Sequence, residues 1–289
     1  MPKKVLFVEI GFGIALLLGG GLGAAAQVAP GAPASSIKLP QVVGAGSGEG
    51  TAAIVRAIQL GVKYPRPALR DGTQGQSMVT FAVAPTGQVC LLQMKYGIRA
   101  DLDSAVVQAV RRLPRLQPAT QHGQPVACLM SAPVTFLLTN PERLPRQPLP
   151  ALDSTQVYSA VTRLPTYRGQ PGFKQLSADL TASYLQLTQG TACGVPRYGR
   201  TIVATVGPSG TLYDVQLAPP DKDLVTSLEN KFGDQVIKED EVDGGNDVPE
   251  ACVAKIAEAA RRLPRLTPAY VGGRPVAMRV LLALSMPQP

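Results

Sequence analysis

The chain of 289 residues holds one histidine, His122, and four cysteines, Cys90, Cys128, Cys193 and Cys252. A single imidazole excludes a His triad, a two-His metal motif or a His-rich metal site. His122 stands beside Gly123 and reads as an exposed turn residue. A Cys–His nucleophile would need Cys90 or Cys128 next to it, and both occupy positions that face a core. No Gly-rich phosphate loop and no spaced carboxylate pair stands out, so neither enzyme activity nor a cofactor is expected. The carboxylates of residues 238–247 invite calcium, which prefers clustered oxygens. Their spacing does not follow an EF-hand loop, and a solvated loop is the simpler reading. Arg111, Arg112 and Arg115, with Arg261, Arg262 and Arg265, form two basic clusters that an anionic head group or acidic peptide could use. Cations at helix C-termini explain them as well, at ~0.3–1 kcal/mol each.

The elements that would position these groups come in two sets. With 45% hydrophobic and 17% charged residues the chain is no disordered tail. Its length suits two domains. Residues 1–26 carry Lys3 and Lys4, an apolar stretch from Val5 to Leu22, and Ala24-Ala25-Ala26 before Gln27, which is the pattern of a secretory signal peptide. Glu9 leaves only Ile10 to Leu22 uninterrupted, short of the ~20 residues a span needs. A retained N-terminal anchor is the alternative, and membrane contact is expected only in that case. The formal net charge is +8, yet export and 5% aromatics argue against nucleic acid. Residues 27–50, rich in Ala, Gly, Pro and Ser, read as a flexible linker.

Arg111-Arg112-Leu113-Pro114-Arg115-Leu116 recurs as Arg261-Arg262-Leu263-Pro264-Arg265-Leu266, and over 111–127 twelve of seventeen positions repeat at an offset of 150. The helix before the motif repeats too: Leu102, Val106, Ala109, Val110 against Cys252, Ile256, Ala259, Ala260. Asp101 and Asp103 sit at the start of the first helix; Asp247, Pro249 and Glu250 supply an N-cap, a first-turn Pro and an acid for the second. Upstream lie hairpins turning at Pro85-Thr86-Gly87 and Pro208-Ser209-Gly210, here at an offset of 123. Alternation in the second strand runs through Tyr213, Val215 and Leu217, matched by Cys90, Leu92 and Met94. A third strand follows each motif: Val126, Cys128, Met130 and Val276, Met278, Val280, Leu282. An opening helix carries Ile54 and Ile58 before Tyr64-Pro65, and Phe173, Leu176 and Leu180 before Tyr184.

Each unit is thus helix, strand, strand, helix, strand. The expected class is α+β: two tandem two-layer sandwiches, each a three-stranded antiparallel sheet with two helices on one face. The units are 51–140 and 162–289, joined by a linker 141–161, with an acidic insertion 218–250 in the second. Export makes disulfides plausible for the four cysteines. Within-unit pairing would give Cys90–Cys128 and Cys193–Cys252. Alternation puts Cys90 and Cys128 on one sheet face, but a second-first-third strand order would hold them ~9.5 Å apart across a strand. Cys252 takes the place of Leu102, so a buried thiol is the alternative there.

This order of elements resembles the C-terminal domain of the TonB family, the energy transducers of the Gram-negative envelope. The residues that carry the resemblance are Tyr64-Pro65, Pro85-Thr86-Gly87, Pro114 and Pro118, Gly123 to Val126, and Pro133-Val134-Thr135-Phe136. In the second unit Leu164-Pro165-Thr166-Tyr167-Arg168-Gly169 looks like the stretch before the family's first helix. The resemblance implies a periplasmic protein-binding module in support of transmembrane transport. Its last strand would accept an extended peptide of an outer-membrane receptor or other envelope protein by β-strand addition. That makes Val126, Cys128, Met130, Pro133, Val134 and Phe136 the candidate partner-binding residues. Pro133 fits an edge, where a missing N–H is tolerated. The alternative is a structural envelope protein whose edges pair with each other or with a second copy in a homodimer.

Overall fold

The structure, a computed structural model, describes residues 7–9 (backbone only), 37–44, 50–138, 156–193, 200–219, 221–237 and 248–284. The rest of the expected signal segment, most of the expected linker 141–161 and the acidic run 238–247 lie outside the described residues.

Three short strands, β1 (Phe7–Glu9), β2 (Ile37–Lys38) and β3 (Gln41–Val42), precede helix α1 (Gly50–Gly61) and a turn of helix, α2 (Arg66–Arg70). The first unit continues with β4 (Gln74–Val83), β5 (Val89–Tyr96), α3 (Ala100–Arg111), β6 (Leu116–Gln117), β7 (Ala119–Gln121), β8 (Gln124–Val126) and β9 (Cys128–Phe136). Four short strands follow, β10 (Val157–Tyr158), β11 (Ala160–Val161), β12 (Thr166–Tyr167) and β13 (Gln170–Pro171). The second unit has α4 (Lys174–Thr188), β14 (Arg200–Val206), β15 (Leu212–Leu217), α5 (Lys222–Phe232), α6 (Glu250–Arg261), β16 (Ala269–Val271) and β17 (Arg274–Leu284).

In the first sheet β4 lies between β5 and β9, and in the second β14 lies between β15 and β17. The registers coincide: Val83 faces Cys128 in one sheet, and Val206 faces Met278 in the other. Those residues differ by the same offsets, 123 and 150, as the sequence motifs. Each helix following the hairpin buries one stripe, Leu102, Val106, Ala109 and Val110 on α3, and Cys252, Ile256, Ala259 and Ala260 on α6. Against the first stripe pack Ile54 and Ile58 of α1 with Val79, Phe81, Val83 and Met130. Pro249 is the N-cap of α6 rather than its first-turn residue, and Asp247 lies outside the described residues. Gly87 and Gly210 close the hairpins at φ 81° and 80°, and an added Cβ would stand 1.9 Å from the Leu116 or Leu266 carbonyl oxygen. Glycine is required at both by conformation and by contact.

Several expectations need correction. Residues 37–42 are not a free linker: Ile37 is buried, β2 pairs with β7 and β3 with β6. The stretch before residue 162 ends in strands, β10 on β17 and β11 on β4. Part of the acidic insertion is a helix, because Leu224 and Leu228 stand one turn apart and Asp221 caps the start by accepting from the Leu224 amide. The helix α5 lays those leucines, with Val225 and Phe232, on Ala82, Ala127 and Leu129 of the first sheet. Nearby, Met78 and Tyr96 meet Ala218, Leu281 and Val203 of the second unit. The first unit is therefore not a two-layer sandwich covered by helices on one face alone; α5 and the second sheet cover the face opposite α1 and α3, and all ten residues of β4 are buried.

Cys90 and Cys128 lie on opposite faces, not one. A bulge at Leu91, with φ 47°, breaks the β5 alternation, so Cys90 packs toward α5 while Cys128 joins the α1–α3 core. The same bulge occurs at Asp214, with φ 50°, and turns Tyr213 outward instead of inward. Both thiols are free, and burial pushes each above its ordinary range. Cys193 and Cys252 are disulfide-bonded, with Cα atoms 5.5 Å apart.

The outer edge of the third strand

The candidate site is the side of β9 that faces away from β4. Antiparallel pairing alternates, so every second residue turns its peptide N–H and C=O outward. On β9 and the residue before it these are Ala127, Leu129, Ser131, Pro133 and Thr135. Buried peptide groups left without a partner cost ~1–3 kcal/mol each, so what meets them determines whether the edge is open.

Each is met differently. The Ala127 amide donates to the Gln235 carbonyl at 2.7 Å, and the Ala127 carbonyl accepts from the Ile237 amide at 3.1 Å. The segment just after α5 thus pairs with the start of the edge. Over Leu129–Ser131 the partner is β1, running parallel with Phe7 opposite Leu129, Val8 opposite Met130 and Glu9 opposite Ser131. Pro133 has no N–H to satisfy. At Thr135 the side chain of Gln59, on α1, takes the place of a strand: its amide nitrogen donates to the Thr135 carbonyl and its oxygen accepts from the Thr135 amide, both at 3.0 Å.

The candidate binding residues fall into two groups. Val126, on β8 rather than on the third strand itself, is buried, as are Cys128, Met130, Val134 and Phe136, whose side chains all belong to the α1–α3 core. Phe136 meets Tyr64 edge-on at a centroid distance of 5.4 Å. The Tyr64 hydroxyl donates to the Thr73 carbonyl, and burial pushes its pKa up to about 12. These side chains hold the strand in place and leave only their backbone for a partner. Pro133 alone faces the other side, at a cavity of about 530 Å³ between the units. That volume lies within the ~300–1,000 Å³ of ordinary ligand pockets.

The second unit forms the far wall of this cavity with Leu281, Ala283, Phe173 and Ser177. Its own third strand, β17, is closed along the same edge. Val157 and Tyr158 of β10 run parallel opposite Ala277 and Met278. The Gln76 side chain, from β4, accepts from the Leu281 amide at 2.8 Å and donates to the Leu281 carbonyl at 3.3 Å. The Ala283 amide donates to the Ser177 hydroxyl at 3.1 Å. Gln59, Gln76 and Ser177 carry no pattern that marks them in the sequence. They interrupt or flank apolar stripes, and only the paired strand edges give them partners.

The other polar candidates are placed apart. His122 is exposed in the β7–β8 turn with φ 51°. Arg111, Arg112 and Arg115 and their counterparts are exposed, with Arg112 donating to Gln108 and Arg262 paired with Glu258. At the start of α3, Arg99 is held by Asp101 and Asp71, each at 2.8 Å. The Arg99 guanidinium lowers the Asp101 carboxyl, whereas burial raises that of Asp103. Among the described residues no helix is long and apolar enough to cross a membrane.

Residues 61–138 match the family model described as Gram-negative bacterial TonB protein C-terminal. Two solution structures of the Helicobacter pylori TonB C-terminal domain are similar to part of this chain. The one of residues 179–285 has 22% identity, covers 34% of this chain and 88% of its own, with a TM-score of 0.27. The one of residues 194–285 has 22% identity, covers 30% and 92%, with a TM-score of 0.25. No curated protein matches the chain.

Proposed function

We propose, with the match of residues 61–138 to the TonB C-terminal family as the premise, that this chain is a non-enzymatic protein-binding module of the periplasm. It engages an outer-membrane transporter or another envelope protein by β-strand addition, in support of transmembrane transport. The second unit is a degenerate copy of the first and serves it structurally. The observation that carries this reading is the pairing on β9: the window Leu129–Ser131 takes a parallel strand, β1, from a distant part of the chain. In the exported form residues 1–26 are removed and the window is vacated for a partner. The backbone does the binding, which fits side chains that point into the core.

The test is hydrogen exchange on the chain beginning at Gln27, followed at the Leu129 and Ser131 amides. The expected result is fast exchange in the free protein and protection on adding peptides from the periplasm-facing N-terminal segments of outer-membrane transporters. Full protection in the free protein would overturn the reading in favour of a structural envelope role.

A further inference from the structure

We infer that the cavity between β9 and β17 is the continuation of the strand-addition site, so that an extended partner segment is gripped by both units. This rests on the strand-addition reading and adds the second unit as a wall of the site. A strand in the β1 register runs parallel to β9, and after the position opposite Ser131 it reaches Pro133 and Thr135. Those two residues line the cavity, with Leu281 and Ala283 of β17 opposite. Two strand edges therefore face one another across about 530 Å³. On each edge a glutamine side chain stands in for a peptide group, Gln59 at Thr135 and Gln76 at Leu281. A primary amide offers one acceptor and two donors, so a peptide group can replace it with no net loss of hydrogen bonds. Pro133 presents a carbonyl without an N–H.

The occupant that fits is an extended peptide running parallel to β9. The Pro133, Leu281, Ala283 and Phe173 walls favour small or apolar residues in the middle. Lys174, exposed at the rim, favours a carboxylate there.

The probe is a synthetic peptide of this chain's own residues Lys3 to Gly13, which contains the β1 strand, Phe7–Glu9. It is added to the ¹⁵N-labelled chain beginning at Gln27. The expected result is protection of Leu129 and Ser131 together with shifts of the Gln59 and Gln76 side-chain amide signals. Ala283→Leu, which fills the cavity from the second unit, is expected to weaken binding by about tenfold or more, as overpacking does. Protection of Leu129 and Ser131 with both glutamine signals unmoved would overturn the two-walled site and leave single-edge addition standing. Undiminished binding to a folded Ala283→Leu chain would do the same. No binding at all would overturn the two-walled site along with the reading it rests on. Should Ala283→Leu not fold, the glutamine signals of the unsubstituted chain decide the matter.

Discussion

On β17 the outer edge is closed by Val157–Tyr158, Gln76 and Ser177, each anchored in a strand or helix of the folded body. On β9 the two ends are closed in the same manner, by Gln235–Ile237 and by Gln59, but among the described residues the middle is closed by Phe7–Glu9 alone. The sheets share strand order and register, so the difference is not in the fold. It lies in where the closing segment belongs in the chain. On β17 the closing strand leads directly into β11, which pairs with β4; on β9 the closing strand belongs to residues 1–26, whose removal under the proposed function leaves Leu129–Ser131 open.

The largest expected effect tests whether the second unit is the more rigid. The disulfide Cys193–Cys252 closes a separation of 59 residues within that unit. Loop-closure entropy for such a loop is worth about 4 kcal/mol. Cys193→Ala with Cys252→Ala should lower the urea midpoint accordingly, with fast exchange appearing first in β14–β17. Equal loosening of both units would break the comparison. Next in size is α5. Leu228 is fully buried against the first sheet, and Leu228→Ala should cost about 3 kcal/mol by cavity formation. Its diagnostic is faster exchange at the Ala127 amide, because the segment pairing there follows directly from α5. An unchanged Ala127 amide would mean that the end of the β9 edge is closed independently of the helix.

Gln59→Ala sharpens the comparison at the other end. It leaves the Thr135 peptide without its amide partner, at about 1–2 kcal/mol, and should expose the Thr135 amide to exchange. Gln59→Glu keeps an acceptor for the Thr135 N–H and should retain that protection while losing the bond to the carbonyl. If both variants exchange alike at Thr135, the glutamine is not the closing element.

The repeat, the helix stripes and the hairpin turns were legible because each rests on local pattern: apolar residues at i, i+4, i+7 and i+8 on α3 and α6, and Pro-x-Gly at the turns. Pro133 pointed to an edge on the third strand; the structure pairs the outer side of that strand with β1, Gln235–Ile237 and Gln59, and little of what closes either third strand shows in local pattern. Those partners are a helix glutamine, a strand glutamine, a serine and the tail of an acidic insertion, joined to the edges only in three dimensions. The α5 stripe was hidden by its setting: Leu224 and Leu228 sit between ten acidic residues and three lysines over 218–250, and charge density reads as solvent. The strand bulges escaped because neither Leu91 nor Asp214 is a glycine, although both have positive φ. One such residue reverses the face of everything before it, which moved Cys90 and Tyr213 to the wrong side.

The smallest effect concerns the start of α3. Asp101 there accepts from Arg99, and Arg99 also binds Asp71, an arrangement that has no counterpart among the described residues at the Pro249 start of α6. The Asp101 carboxyl is lowered in the folded state, chiefly by the hydrogen bond from Arg99. A lowered carboxyl contributes stability that is present above its unfolded pKa and lost as pH falls through the folded value. Asp103 acts in the opposite sense: burial raises it, so its contribution is lost as pH rises. Replacing Asp101 separates its contribution from that of Asp103. Asp101→Asn should lower the urea midpoint slightly at pH 7, and the difference from the unsubstituted chain should vanish as pH falls below the ordinary carboxylate range. The pair is partly exposed, so the effect is small and shrinks further in high salt. Glu258→Gln on α6 removes a partly exposed carboxylate whose partners, Lys255 and Arg262, are both more exposed than Arg99, and should change the midpoint less. A pH-independent deficit in Asp101→Asn would mean that the residue acts through its cap to the Leu102 amide rather than through its charge, and the acid sensitivity would then not distinguish the first unit from the second.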